Sequence, residues 1–463
     1  MRAPFRYQLT DAEKDALLRD QAALIEAQAA MLSDLQKRIA ELEAGLSKPR
    51  KTSRNSSKPP STDFKGGGSG TGGSGKKKPR KRRDGPGISR HLAENPDETV
   101  QVTASACDKC GVDVSGQPQS IRHRYDHIDI PPVVPHTTRI ELLGGRCRCC
   151  GGRFKAPAPE GMPPGTPFGP RIQTFLMYLH HSHHVGFERL SRLMLEMFGL
   201  SISEGAIANS FERQTGPLEA AREAIRETLR KAAVIASDET TTRINGATVW
   251  QWSFVSETAV LHEIAPSRAK AVAEEVLGEH RPEVWISDRY AGQQNLADAH
   301  QVCLAHVLRD VQYAIDCGDT VFATRLRDLL LWTIKIGRRR DQLKDSTLSQ
   351  YHAEAERRLD RLLGHRAAHP AGKILQAQVK AWRTKFFVFL QDRRVPATNN
   401  ISEREIRPSV IFRKVTGGFR SEWGAAVHAG YRSVISTARI QGQTALQAID
   451  GIVAGKPLEM PTT

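Results

Sequence analysis

The chain has 463 residues, which at ~100–200 per domain makes two to four folded units, with cores large enough to need no disulfide staples. Lysine and arginine total 67 against 51 aspartate and glutamate, a net +16 with a pI near 9.7, so polyanions are the expected partners. No apolar run nears the ~18 residues of a membrane helix, and Asp11, Glu13 and Asp15 interrupt any signal segment, so the expected location is cytoplasmic, with no membrane partner.

Residues 8–46 read as one long helix. Leu18, Ile25, Leu32, Ile39 and Leu46 recur at every seventh position, with Leu35 and Leu42 three further on, an a/d seam that wants a parallel partner helix. Gln21 and Gln28 take the other two d positions and weaken its start. Packing on its own chain is the competing reading, but the segment that follows offers nothing to pack on. That segment, 47–99, is rich in Gly, Ser and Pro and cannot bury enough apolar surface to fold. Between Ser47 and His91 it carries 14 Lys and Arg against Asp63 and Asp84, a local +12 that leaves +4 for the other 418 residues. Its densest part, Lys76, Lys77, Lys78, Arg80, Lys81, Arg82 and Arg83, suits salt-sensitive contacts with nucleic-acid phosphates. A merely solvated linker is the alternative.

Residues 100–156 form a candidate zinc-binding β module. Val100–Thr103, Tyr125–Ile130 and Thr138–Leu143 predict short strands, bracketed by Cys107-x-x-Cys110-Gly and Cys147-x-x-Cys150-Gly. Two cysteines at this spacing reach one ion, and the following glycine permits a turn whose amides face the sulfurs. Cys107, Cys110, Cys147 and Cys150 together make the four-thiolate set that structural Zn²⁺ prefers. Seven cysteines, an odd count with four in knuckles, argue for metal over disulfides. Cys149 is left over and competes for the place of Cys147 or Cys150.

Residues 168–232 are helical. Phe187 to Phe198 has helical spacing, Gly199 ends it in the left-handed conformation, and Ser201 to Glu204 reads as a capping box opening a second helix to about Arg213. The pair is either a helix-turn-helix that reads a major groove or a hairpin of pure packing character. His180, His181, His183 and His184 lack an acidic or cysteine companion and are not taken as a metal site.

Residues 233–306 change to an α/β rhythm. Strands are predicted at Val234–Ser237, ending in Asp238 and Glu239, then at Thr248–Val255, Ala259–Ile264, Glu283–Ser287 and Gln301–Ala305, with a helix over Ser267–Leu277. That order is the order of a ribonuclease-H-like mixed sheet, in which the first and fourth strands are neighbours. Asp238 and Asp288 then project together. A third acid is expected on a later helix, and Asn399 to Pro408 supplies Glu403 in a first turn, with Asn400 as N-cap. Arg404 and Arg407 follow at phosphate-binding spacing. Read alone, this is a capped surface helix with ordinary ion pairs. The 115 positions between Asp288 and Glu403 leave room for a helical insertion over 307–398, with the second part of the core at 399–445 and a tail at 446–463.

The chain resembles DDE-type transposases of the insertion-sequence sixty-six family over nearly its whole length. The likeness is carried by Ser53 to Ser61, the two knuckles, Phe198 to Gly205, Ser237 to Thr240, Ser287 to Gly292, Cys303 to His306, Asn399 to Arg407, and Arg413 to Arg420. The resemblance implies Asp238, Asp288 and Glu403 as the catalytic triad, Cys303 and His306 as the Cys-x-x-His motif, and Arg413 and Lys414 among the DNA contacts. Many members have Gly where this chain has Arg289. The motif pair Cys303 and His306 buttresses the site or packs the insertion; a zinc site there needs two more ligands.

The expected chemistry is metal-dependent cleavage and strand transfer of DNA at the ends of an insertion sequence. The triad would hold two Mg²⁺ ions ~4 Å apart, with Mn²⁺ as a substitute. Glu239 is the rival to Asp238, but adjacent strand residues face opposite sides. Expected partners are the element's terminal repeats, target DNA, a second or further copies of the chain and accessory proteins of the same element, in a bacterial, nucleoid-associated setting. A structure-selective nuclease on the same fold would need the acids but no end-binding domains. A non-catalytic zinc-containing regulator would need no acids placed for metal.

Overall fold

The computed structural model describes residues 10–46, 49, 51–56, 90–165, 167–456 and 458–460. The basic run from Lys76 to Arg83 lies outside the described residues. Helix α1, Asp11–Leu46, opens with a reciprocal cap: the Thr10 hydroxyl accepts from the Glu13 amide, and the Glu13 carboxylate accepts from the Thr10 amide at 2.8 Å. Every described side chain over 11–39 is exposed, Leu18 by 62% and Ile25 by 64%. Own-chain packing therefore does not cover these seam positions. Leu42 and Leu46 lie outside the described side chains.

The described chain divides into two compact units. One holds the described parts of 65–141 with 192–201, and the other holds the rest. In the smaller unit the strands expected at 100–103 and 125–130 do not form; Val100, Val102, Tyr125, Ile128 and Ile130 are exposed and belong to no ladder. Pairing is instead supplied by a side chain: Gln119 accepts from the Ala104 amide and donates to its carbonyl, both at 2.8 Å. The stretch at 138–143, which straddles the boundary between the units at 141/142, is likewise not a strand. The hairpin lies just beyond it, β1 (Gly144–Arg146) against β2 (Arg153–Lys155), wrapped round the second knuckle.

The helices are α2 (Pro170–His183), α3 (Phe187–Phe198), α4 (Glu204–Glu212) and α5 (Thr215–Leu229). Gly199 closes α3 at φ +64°, as its sequence predicts. The N-cap of α4 is Ser203, whose hydroxyl accepts from the Ala206 amide, rather than Ser201. The capping position moves because Ile202 is buried and holds the connection in place.

The sheet comprises β3 (Val234–Ile244), β4 (Ala247–Val255), β5 (Val260–Ala265), β6 (Val284–Ser287) and β7 (Ala299–Val302), in the order β5-β4-β3-β6-β7. The first three are antiparallel; β6 and β7 join in parallel after α6 (Lys270–Leu277). Asn245 and Gly246, both at positive φ, form the two-residue turn between β3 and β4. That turn lets β3 run on to Ile244, so Asp238 and Glu239 sit within the strand, not at its end. The last strand also shifts: β7 stops at Val302, because Cys303 is the N-cap of α7 (Leu304–Asp316).

Helices α7, α8 (Phe322–Gly337), α9 (Asp345–Gly364) and α10 (Pro370–Ala381) make the insertion, with Leu326, Leu330, Leu359, Val379 and Phe386 to Leu390 in its core. Gln301 of β7 fastens it to the sheet, donating to the Phe386 carbonyl and accepting from the Phe389 amide, each at 3.1 Å. After it come α11 (Asn400–Thr416) and α12 (Glu422–Ile440). The edge strand β5 is capped by α12: the Val260 amide donates to the Thr437 hydroxyl and the His262 amide to the Ser433 hydroxyl. Part of the expected tail is a further helix, α13 (Ala445–Val453), with a Thr444–Gln447 capping box and Ile449 and Ile452 buried. A mixed sheet flanked by helices, with a helical insertion, is consistent with the expected ribonuclease-H-like core. No helix among the described residues is long and apolar enough to cross a membrane.

Candidate active site

Parallel pairing of β3 with β6 sets Ala236 opposite Ile286. Asp238 and Asp288 each lie two residues further on, so they leave the sheet at the same level and on the same face. Glu403 arrives from the first turn of α11, whose start is fixed by Asn399. Asn399, not Asn400, is the N-cap, because Asn400 is already the first helical residue; the Asn399 side chain makes no capping bond but donates to the Ser237 carbonyl at 2.7 Å, while its backbone N–H donates to the Cys303 sulfur at 3.2 Å. One asparagine thus ties the helix to the residue before Asp238 and to the start of α7. Its role was not foreseen from the sequence, where Asn399-Asn400 signals only a helix start.

Four carboxylates gather here, and their environments separate them. The Asp238 carboxyl is pushed well above the usual carboxylate range, first by withdrawal from water and then by the negative charges of Glu239, Asp288 and Glu403. Among the described residues its carboxyl accepts one hydrogen bond, from the Glu239 amide at 3.0 Å. Asp288 accepts from the Tyr290 amide at 2.8 Å. Among the described residues none of Asp238, Asp288 and Glu403 forms an ion pair with Lys or Arg. Glu239 differs: Arg268 grips it at 2.5 Å while lying over the Tyr290 ring at 3.6 Å, and Gln293 donates to its other oxygen. Trp285 donates in turn to Gln293 at 3.0 Å. Burial still raises the Glu239 carboxyl, yet its partners are protein groups, and no sequence signal marked Arg268 or Gln293 for that task.

The three remaining carboxylates present only oxygen donors, from three separate elements, and the basic groups nearest them, His306 beside Glu403 and Arg289 in the field of Asp288, make no close ion pair with them. That donor set fits Mg²⁺, a hard ion that takes a few carboxylates plus substrate oxygens.

Cys303 and His306 stand beside them, at the N-cap and in the first turn of α7. His306 Nδ1 lies 3.8 Å from Glu403 Oε1, and burial with the nearby Arg309 holds the imidazole neutral. Arg289 turns toward the insertion, held by Asp310 of α7 and by Gln378 of α10 at 3.2 Å. On α11, Arg404, Arg407 and Lys414 are exposed on one face, whereas Arg413 turns back to bond the Thr241 carbonyl and hydroxyl of β3.

Each cysteine knuckle can be described by itself. Gly111 and Gly151 take φ +74° and +70°, and their amides close the turns onto the carbonyls of Cys107 and Cys147 at 2.8 Å. Amides of Lys109 and Cys110 draw the Cys107 thiol below its ordinary range, and those of Cys150 and Cys149 do the same for Cys147. Both turns therefore favour a thiolate, as a metal knuckle must.

No curated protein matches the chain. The family described as Transposase IS66 family matches residues 165–427, more than half of the chain and a span that includes Asp238, Asp288, Cys303, His306 and Glu403; the chain belongs to that family.

Proposed function

We propose that this protein cuts and joins DNA at the ends of a mobile element, with Asp238, Asp288 and Glu403 as the metal-holding acids. Membership of the family makes DNA the partner and transposase-type activity the general class. The observation that carries the finer reading is the separation of the four carboxylates: three are charge-coupled without a Lys or Arg ion pair among the described residues, and the fourth is occupied by Arg268. Two Mg²⁺ ions (or Mn²⁺) held by the three would activate the attacking oxygen and stabilise the leaving one. The chain's own residues do the positioning. Asp238 and Asp288 are fixed by the β3–β6 register, Asn399 sets the height of Glu403, and Arg404, Arg407 and Lys414 offer positive charge to the phosphates. No protein nucleophile is required.

Other parts take supporting roles in this reading. Cys107, Cys110, Cys147 and Cys150 are structural Zn²⁺ ligands, supported by their spacing and by the two thiolate-favouring turns. The run Lys76 to Arg83 and the α3–α4 pair contact the element's ends. The exposed seam of α1 pairs with α1 of a second copy, which brings two sites to two ends.

Asp238→Asn should lower Mg²⁺-dependent cleavage of a labelled element end by about a thousandfold or more while end binding survives. Undiminished cleavage removes the assignment. Deleting residues 1–46 should reduce the sedimenting mass; an unchanged mass retires the pairing of α1.

A further inference from the structure

Cys303 Sγ, a ring nitrogen of His306 and a carboxylate oxygen of Glu403 all lie within 4.8 Å of one another, the one such group of three donors among the described residues. Neither Asp238 nor Asp288 belongs to it. The spacing follows from the fold: Cys303 and His306 are three apart at the start of α7 and share a face, and Asn399 brings the first turn of α11 against them.

Two of these atoms are left without a partner. His306 Nδ1 and Glu403 Oε1 are shielded from solvent, face each other at 3.8 Å and make no hydrogen bond. Native structures rarely leave facing polar atoms unsatisfied, and a missing ligand is one explanation. The third donor, the Cys303 sulfur, is 1% exposed and accepts the Asn399 amide N–H; burial and the Glu403 charge push its thiol up, so a bound cation would have to displace the proton. Bonds of ~2.0–2.3 Å to a tetrahedral ion set neighbouring donors ~3.3–3.8 Å apart, so the present positions need small side-chain adjustments only.

The chemistry of the set differs from that of the three acids. A sulfur and an imidazole suit Zn²⁺ and are poor ligands for Mg²⁺. Glu403 is the shared member. We infer that Cys303, His306 and Glu403 form a Zn²⁺ site, with water as fourth ligand, whose occupation withdraws Glu403 from the acid set and switches cleavage off. The off-state rests on the function proposed above; the site itself does not.

Cobalt separates the two. Full-length protein freed of metal is titrated with Co²⁺, comparing wild type, Cys303→Ser and His306→Gln. Wild type should take up one equivalent more than Cys303→Ser, with a correspondingly stronger thiolate-to-cobalt charge-transfer band, and His306→Gln should weaken that last equivalent about tenfold or more. Identical uptake and spectra in wild type and Cys303→Ser overturn the site, whether or not the protein cleaves DNA. The second arm is the ratio of Mg²⁺-dependent cleavage with and without added Zn²⁺. It should fall in wild type and be restored by chelator, and change about tenfold less in Cys303→Ser. Equal ratios overturn the switch even if cobalt binds.

Discussion

Two clusters of titratable side chains share one face of the sheet, since the registers set Asp238 opposite Ser253 and Ser253 opposite His262, and they are built on opposite principles. In one, Asp238, Asp288 and Glu403 are carboxylates without a Lys or Arg ion pair among the described residues. In the other, His181, His262 and His428 lie within the field of Arg432, with His180 against His181, where α2 and α12 pack near the outer strands. There the imidazoles are held neutral by burial: His180 is pushed down to about 4, and His181, His262 and His428 lie well below the ordinary histidine range. Arg432 is 1% exposed, its guanidinium donates to Ser436 at 3.1 Å, and it faces Glu405 at 3.9 Å. Burial pushes it down to about 10. The histidine side balances its own charge through neutral rings and one internal pair. The carboxylate side does not, which is the condition the proposed metal-holding role needs. That contrast separates the two clusters more sharply than burial does.

The largest expected effect tests the self-contained side. Arg432→Ala should cost about 3–5 kcal/mol in urea unfolding, because it strands Glu405 and empties a buried volume. A loss within experimental error would mean the arginine is not part of the core's charge balance.

Next comes pH, where the two sides have opposite signs. The histidines bind fewer protons folded than unfolded below pH ~6.5, so they withdraw stability as pH falls from ~6.5 toward 4, by roughly 3 kcal/mol for His180 alone. Asp238 has a raised carboxyl, so its contribution is lost as pH rises from ~4 through its folded value. In chelator, Asp238→Asn should therefore be more stable than the wild type at pH 7 and differ little from it at pH 4, and should blunt the stabilisation that Mg²⁺ gives the wild type. Equal stability of the two proteins at pH 7, with and without Mg²⁺, would erase the comparison.

Much of the carboxylate side was legible beforehand. Asp238 and Asp288 follow from a strand order that makes the first and fourth strands neighbours, and Glu403 from an Asn-rich helix start. The rivalry of Glu239 was visible too, but its resolution was not. Arg268, Gln293 and Trp285 come from the β5–α6 connection, the turn after β6 and β6 itself, and no local pattern links them to Glu239. The expected strands at 100–103, 125–130 and 138–143 failed for a related reason. Alternating apolar residues state a preference for extension, while a ladder needs a partner chain in register.

By itself the sequence determined the long exposed α1, the two cysteine turns, the left-handed stop at Gly199 and the alternation that builds the sheet. Each depends on residues a few positions apart, where backbone sterics and side-chain period suffice. Tertiary structure alone decided which carboxylate is neutralised, that Asn399 bridges β3 to α7, and that Cys303, His306 and Glu403 meet. Those outcomes depend on charge and distance between segments up to about 160 positions apart, fixed only once strand register and helix packing are in place.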